Sequence, residues 1–152
     1  MRFLVLGKNG QEIMNLNRRK AIRERCLNCV GWITSEVRIC DFTWCALHPF
    51  RMGTGKQDAA DRAASIRKYC LQCTNDQPTE VRLCPCRDCS LYPYRHYKVD
   101  RSVEIKSESE KQHIEAILEE NRKNFVSIHA PELIQSKTRV YGIFSKKTDC
   151  EK

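Results

Sequence analysis

The first apolar run, Phe3 to Leu6 in MRFLVL, reads as a short strand, and the GKNG that follows reads as a turn. Residues 12–25 then carry Ile13, Leu16 and Ile22, which suits a helix with one buried side. A second helix is expected over 57–68, where alanines at 59, 60, 63 and 64 favour helix. The strings EVRI at 36–39 and EVRL at 80–83 alternate polar and apolar residues and read as short strands. Further on, Ser107 and Glu110 have capping-box spacing, and Ile114, Ile117, Leu118 and Phe125 mark the apolar stripe of a helix over 108–124. Pro131 breaks that pattern, and TRVYGIFS at 138–145 reads as a strand. The opening strand and its glycines do not begin a dinucleotide-binding fold. No G-x-G-x-x-G is present, and Cys26 arrives too soon after Gly10 for a βαβ crossover.

Cysteine changes this picture most. Of ten cysteines, Cys26, Cys29, Cys40 and Cys45 are separated by two, ten and four residues, and Cys70, Cys73, Cys84 and Cys89 repeat those separations 44 residues on. The text around them repeats as well: IRERCLNCVGWITSEVRICDFTWCALHPFR aligns without a gap on IRKYCLQCTNDQPTEVRLCPCRDCSLYPYR. Units of about 30 residues are too small to fold on an apolar core alone and need a staple. Disulfides would imply an oxidising compartment, but the apolar run at the start is too short for a signal-peptide core and no small-residue cleavage site follows. The expectation is a cytoplasmic chain with reduced thiols that binds two Zn2+, one per four-cysteine set. An iron–sulfur cluster accepts the same four ligands and is the less favoured cofactor. Cys86 and Cys89 also have CxxC spacing, but Cys86 aligns with Phe42, so the repeat assigns Cys84 as ligand and leaves Cys86 a spare thiol.

The expected fold is therefore a small metal-stabilised α+β architecture. Two tandem zinc modules are each preceded by a helix, and a C-terminal helix and short strands follow. The segments are 1–25 (strand and basic helix), 26–56 (first module), 57–69 (connecting helix), 70–98 (second module) and 99–152 (C-terminal part with a frayed tail). In each module Gly31 or Asn75 follows the CxxC by two residues, and both types accept a left-handed backbone, so a turn is expected there.

Charge bears on partners. The formal charge is +8, which two tetrathiolate zincs would lower to about +4. The surplus sits early: residues 1–25 carry +5, whereas residues 99–152 hold ten acidic and ten basic side chains. Arg18, Arg19, Lys20, Arg23 and Arg25 form a basic run suited to nucleic-acid phosphates, and Arg51 and Arg95, beyond the last ligands, are further candidates. Arg38 and Arg82 stand two residues before the third ligands and are read as donors to thiolate sulfur. Trp32, Trp44 and Tyr97 could stack on bases, but small zinc modules also use aromatics as core. His48, His96, His113 and His129 are scattered. Together with the lack of a nucleophile elbow or phosphate-binding loop, they give no catalytic constellation, and the chain is read as a non-enzyme. No run reaches transmembrane length, so no membrane partner is expected.

The string at 66–95, and less closely that at 22–51, resembles a motif of small bacterial and bacteriophage zinc-finger-like proteins: a CxxC, an EVRxC and a CxLxPYR segment. The resemblance implies a phage or prophage setting, hence bacterial host cytoplasm, and makes the eight aligned cysteines the motif's metal ligands. The first copy departs from it at Trp32 and over 41–44. The leading functional expectation is a nucleic-acid-binding accessory or regulatory protein of phage type. The alternative is a protein-binding adaptor or inhibitor that engages a host or bacterial protein through the modules and the C-terminal helix.

Overall fold

The computed structural model describes residues 1–133. It divides into a unit of Met1–Lys106 and a second unit that begins at Ser107. The first unit opens with an antiparallel hairpin, β1 (Arg2–Gly7) paired with β2 (Gly10–Asn15) in the register Arg2↔Asn15 to Gly7↔Gly10. The expected strand is present, and its alternation sends Phe3 and Val5 into the core. Residues 12–15 belong to β2, not to a helix, because pairing along all of β1 satisfies their backbone groups locally. Helix α1 (Arg18–Cys29) starts behind Asn17, whose side chain accepts from the Lys20 N–H at 2.9 Å. Helix α3 (Ala59–Cys73) starts behind Asp58, which accepts from the Ala60 and Asp61 N–H groups at 2.7 and 3.1 Å.

The two EVR strings are not strands. They lie in short helices, α2 (Thr34–Ile39) and α4 (Pro78–Arg82). A strand would place residues two apart on one face, yet Val37 and Val81 are 1% exposed while Ile39 and Leu83 are 69% and 65% exposed. Each helix is reached through two consecutive left-handed residues: Gly31 (φ 63°) and Trp32 (φ 65°), then Asn75 (φ 50°) and Asp76 (φ 59°). The expected turn is therefore present in both copies. It is sealed by the Trp32 and Asp76 N–H groups donating to the carbonyls of Leu27 and Leu71 at 2.7 and 2.8 Å. Short 3-10 turns at His48–Phe50 and Tyr92–Tyr94 follow the fourth cysteines. A third, Arg101–Val103, leads to Ile105, whose N–H donates to the Arg2 carbonyl at 2.9 Å.

The two copies share one core. Ile22 and its mate Ile66, Leu47 and its mate Leu91, and Tyr94 pack with Phe3, Val5 and Leu16 of the amino-terminal segment. Contacts between copies are reciprocal. The Ser65 hydroxyl on α3 donates to the Ala46 carbonyl, and the Ser90 hydroxyl donates to the Ala21 carbonyl on α1 at 2.9 Å. Positions 21 and 65 are mates, as are 46 and 90, so each helix holds the other copy's fourth-cysteine segment. Positions 25 and 69 are also mates, and they touch: Arg25 Nε donates to the Tyr69 hydroxyl at 3.0 Å. A residue contacting its own equivalent marks an approximate two-fold axis, here inside a single chain.

In the second unit, α5 (Glu108–Leu133) begins where the capping box places it, with the Glu110 N–H donating to the Ser107 hydroxyl at 3.0 Å. The helix extends past the expected end at 124, through Pro131. The strand expected over 138–145 lies outside the described residues, as does Cys150. No helix among the described residues is long and apolar enough to cross a membrane.

Candidate metal centres

Each four-cysteine set is assembled from the same three places. Cys26 and Cys29 end α1, and Cys70 and Cys73 end α3, so each CxxC lies on a last helical turn, where i and i+3 share a face. The third and fourth cysteines flank a loop after α2 or α4. That loop has matched turns: the Cys45 N–H donates to the Phe42 carbonyl at 3.0 Å, and the Cys89 N–H to the Cys86 carbonyl at 3.2 Å. All eight predicted ligands are free thiols. Cys86 is not a spare thiol as the repeat suggested, being disulfide-bonded.

The thiols of each set lie within electrostatic reach of one another. Burial and then Cys45, Cys29 and Cys40 push the Cys26 thiol up to about 12, with Arg23 opposing. Its mate Cys70 is pushed up to about 12 by burial and then by Cys89, Cys73 and Cys84, with Arg67 opposing. The repeat's grouping is thus present in space. Among the described residues, however, no three Cys, His, Asp or Glu side chains are arranged to hold a metal ion. Each set nonetheless offers the donor type and number that zinc takes, four thiols that are partly buried or exposed.

Arginines organise the surroundings, though not in the expected roles. Arg38 and Arg82, read as sulfur donors, are exposed on α2 and α4. Arg51, read as an outward cation, donates to the carbonyls of Val37 (3.1 Å), His48 (2.9 Å) and Arg38 (3.3 Å), tying α2 to the 3-10 turn. Its mate Arg95 is buried. It donates to the Tyr92 carbonyl at 2.8 Å, ion-pairs with Asp100 at 2.8 Å and lies 3.8 Å from the Tyr92 ring centroid. The His48 ring is hydrogen-bonded to the Cys40 carbonyl at 2.9 Å and so braces the backbone at Cys40.

The basic run is also drawn inward. Arg18 donates to the Tyr97 carbonyl at 2.7 Å and sits 5.7 Å from the centre of the Tyr94 ring. Arg23 donates to the Arg51 carbonyl at 3.3 Å, and its mate Arg67 donates to the Arg95 carbonyl at 3.4 Å. Arg25 lies on the axis, bonded to Tyr69 and near the thiols of Cys89 and Cys73, while Tyr69 in turn faces Cys29. Arg19 is half-buried and Lys20 exposed. Of the three aromatics considered for stacking, Trp44 is 73% and Tyr97 63% exposed, and Trp32 is half-buried in its left-handed turn.

One feature escaped the sequence reading. Phe42 and Trp44 form an exposed edge-to-face pair, centroids 5.8 Å apart at 76°, beside a cavity of about 330 Å³ between the first module's loop and α3. Its signal was the repeat itself, since the mates of Phe42 and Trp44 are Cys86 and Asp88. No protein-family model, curated protein or solved structure matches the chain.

Proposed function

We propose that the chain is a protein-binding adaptor built on two structural zinc centres, Cys26, Cys29, Cys40, Cys45 and Cys70, Cys73, Cys84, Cys89. A zinc held by four thiolates has no open position, so its contribution is to folding. The adaptor reading is preferred to nucleic-acid binding because the candidate phosphate-binding arginines 18, 23, 25, 51 and 95 all donate to groups inside the first unit. The observation that carries the reading is the apolar surface left outside. Ile39, Phe42 and Trp44 are 69%, 54% and 73% exposed on one short stretch, and large exposed aromatics next to a cavity are the usual anchors of protein interfaces. The test is titration of the zinc-loaded full chain with random-sequence DNA and RNA across a salt series. The adaptor reading expects no binding at physiological salt. Submicromolar binding whose log–log salt slope falls by about one for each of Arg19→Gln and Lys20→Gln would overturn it in favour of a nucleic-acid role.

A further inference from the structure

The two sides of the internal two-fold are not equally covered. On the second module's side, Asp88 is met by the amino-terminal hairpin: its carbonyl accepts the Leu6 N–H at 2.8 Å and its carboxylate accepts from Gln11 Nε2 at 3.1 Å. Ser90 and Pro93 are buried there. The mate of Asp88 is Trp44, and among the described residues no backbone N–H reaches the Trp44 carbonyl. Ala46 and Pro49, mates of Ser90 and Pro93, are half-buried and exposed. They line the cavity together with Thr43, Trp44, Ala64 and Lys68. The cavity thus lies on the first module where the hairpin lies on the second.

We infer that the cavity beside Trp44 is the docking site for an extended, acidic segment of a partner protein. That segment would carry an apolar side chain and lie against the first module as the chain's own hairpin lies against the second. Three observations define this occupant. The covered mate is met by a strand through a backbone N–H, so the open site offers the Trp44 carbonyl to an extended chain. The open site has the aromatic pair where its covered mate has Cys86 and Asp88, so the incoming segment needs an apolar residue. Charge also differs. On the covered side the hairpin's Glu12 lies within electrostatic reach of Glu24. At the open site Lys68 stands in the place of Glu24, so an acidic residue on the incoming strand meets a cation. A second copy of the chain cannot supply the strand from its own hairpin, because Phe3 and Val5, 1% and 0% exposed, are core residues of the first unit.

This inference rests on the adaptor reading and is tested with a displayed library of random linear peptides selected on the full chain. Selected peptides are expected to alternate apolar residues with Asp or Glu. They are expected to lose at least tenfold in affinity on Trp44→Ala and on Ala64→Arg, which fills the cavity from α3, and several-fold on Lys68→Glu. Tyr97→Ala, at an exposed aromatic outside the cavity, should leave affinity unchanged, and all four variants should keep the wild-type zinc content and circular dichroism. Peptides that bind equally well to the Trp44→Ala and Ala64→Arg variants would overturn this site while leaving the adaptor reading standing. Peptides rich in Lys or Arg would overturn the charge assignment and with it the proposal. If no peptide is enriched and single-stranded nucleic acid binds in a Trp44-dependent way, the site and the adaptor reading both fall.

Discussion

Tyr94 is 1% exposed and its mate Phe50 is half-buried; Arg95 is buried and its mate Arg51 half-buried; Pro93 is buried and its mate Pro49 exposed. Turns and cysteine spacing are matched between the modules, yet the second is closed and the first open. The difference comes from segments that the repeat does not contain. The hairpin β1–β2 lies on the second module, and residues 99–105 bring Asp100 to Arg95 and join Ile105 to Arg2. Duplication supplies a symmetric frame, and unduplicated chain then distinguishes its two sides. A closed side and an open side follow from one repeated string.

The comparison is broken most severely through the proposed zinc sites. There, Cys26→Ser and Cys70→Ser are each expected to lower the zinc content from two to none, which elemental analysis reads directly. Because Ile22, Leu47, Ile66 and Leu91 share one core, losing either zinc should unfold the first unit in a single transition and leave no module standing. Structural zinc supplies about 10–16 kcal/mol in small domains, far more than such a unit has to spare. Two separate melting transitions would show that the modules fold independently.

Core truncation sharpens the same point. Ile22→Ala and Ile66→Ala, at mates that are both 0% exposed, should each cost about 2–5 kcal/mol by denaturant titration. The two costs should agree closely, since both residues fill one interior. A large cost at one site and a small one at the other would mean that the core belongs to a single module.

The ion pair of the closed side gives a smaller effect. Hydrogen bonds from Ser102, with help from Arg95, hold the Asp100 carboxyl below its ordinary range. Its contribution is therefore present above the ordinary carboxylate value and lost as pH falls through the lowered one. Asp100→Asn should cost about 1–2 kcal/mol at neutral pH and remove this part of the acid sensitivity. An equal loss in the mutant and the wild type on acidification would assign the sensitivity elsewhere. Trp44→Ala, on the open side, should change stability by less than about 0.5 kcal/mol, as expected of an exposed residue whose ring partner, Phe42, is itself exposed.

Much of this asymmetry could not be read from spacing. The turns at Gly31 and Asn75, strand β1 and the start of α5 were legible because each depends on residues adjacent in the chain. The EVR segments misled because four residues with one buried valine fit a period of two as well as 3.6. Helix α1 was placed too early because Asn17, the cap that fixes its start, was passed over. The arginines misled for a longer-range reason. Charge counting treats each as facing water, whereas carbonyls 28 residues from Arg23 and 79 residues from Arg18 become neighbours only after folding.

The contact of Arg25 with Tyr69 carries a consequence of its own. In a dimer of identical chains, a residue on the two-fold axis meets only itself, so an arginine there would face another arginine. Joining both halves in one polypeptide lifts that constraint. Here the axial position is a guanidinium in one half and a phenol in the other, 3.0 Å apart and with the cation 5.6 Å from the ring centre. Once the two halves are written separately in one gene, the axis becomes the place where they can first diverge, because each new side chain there is answered by a different one.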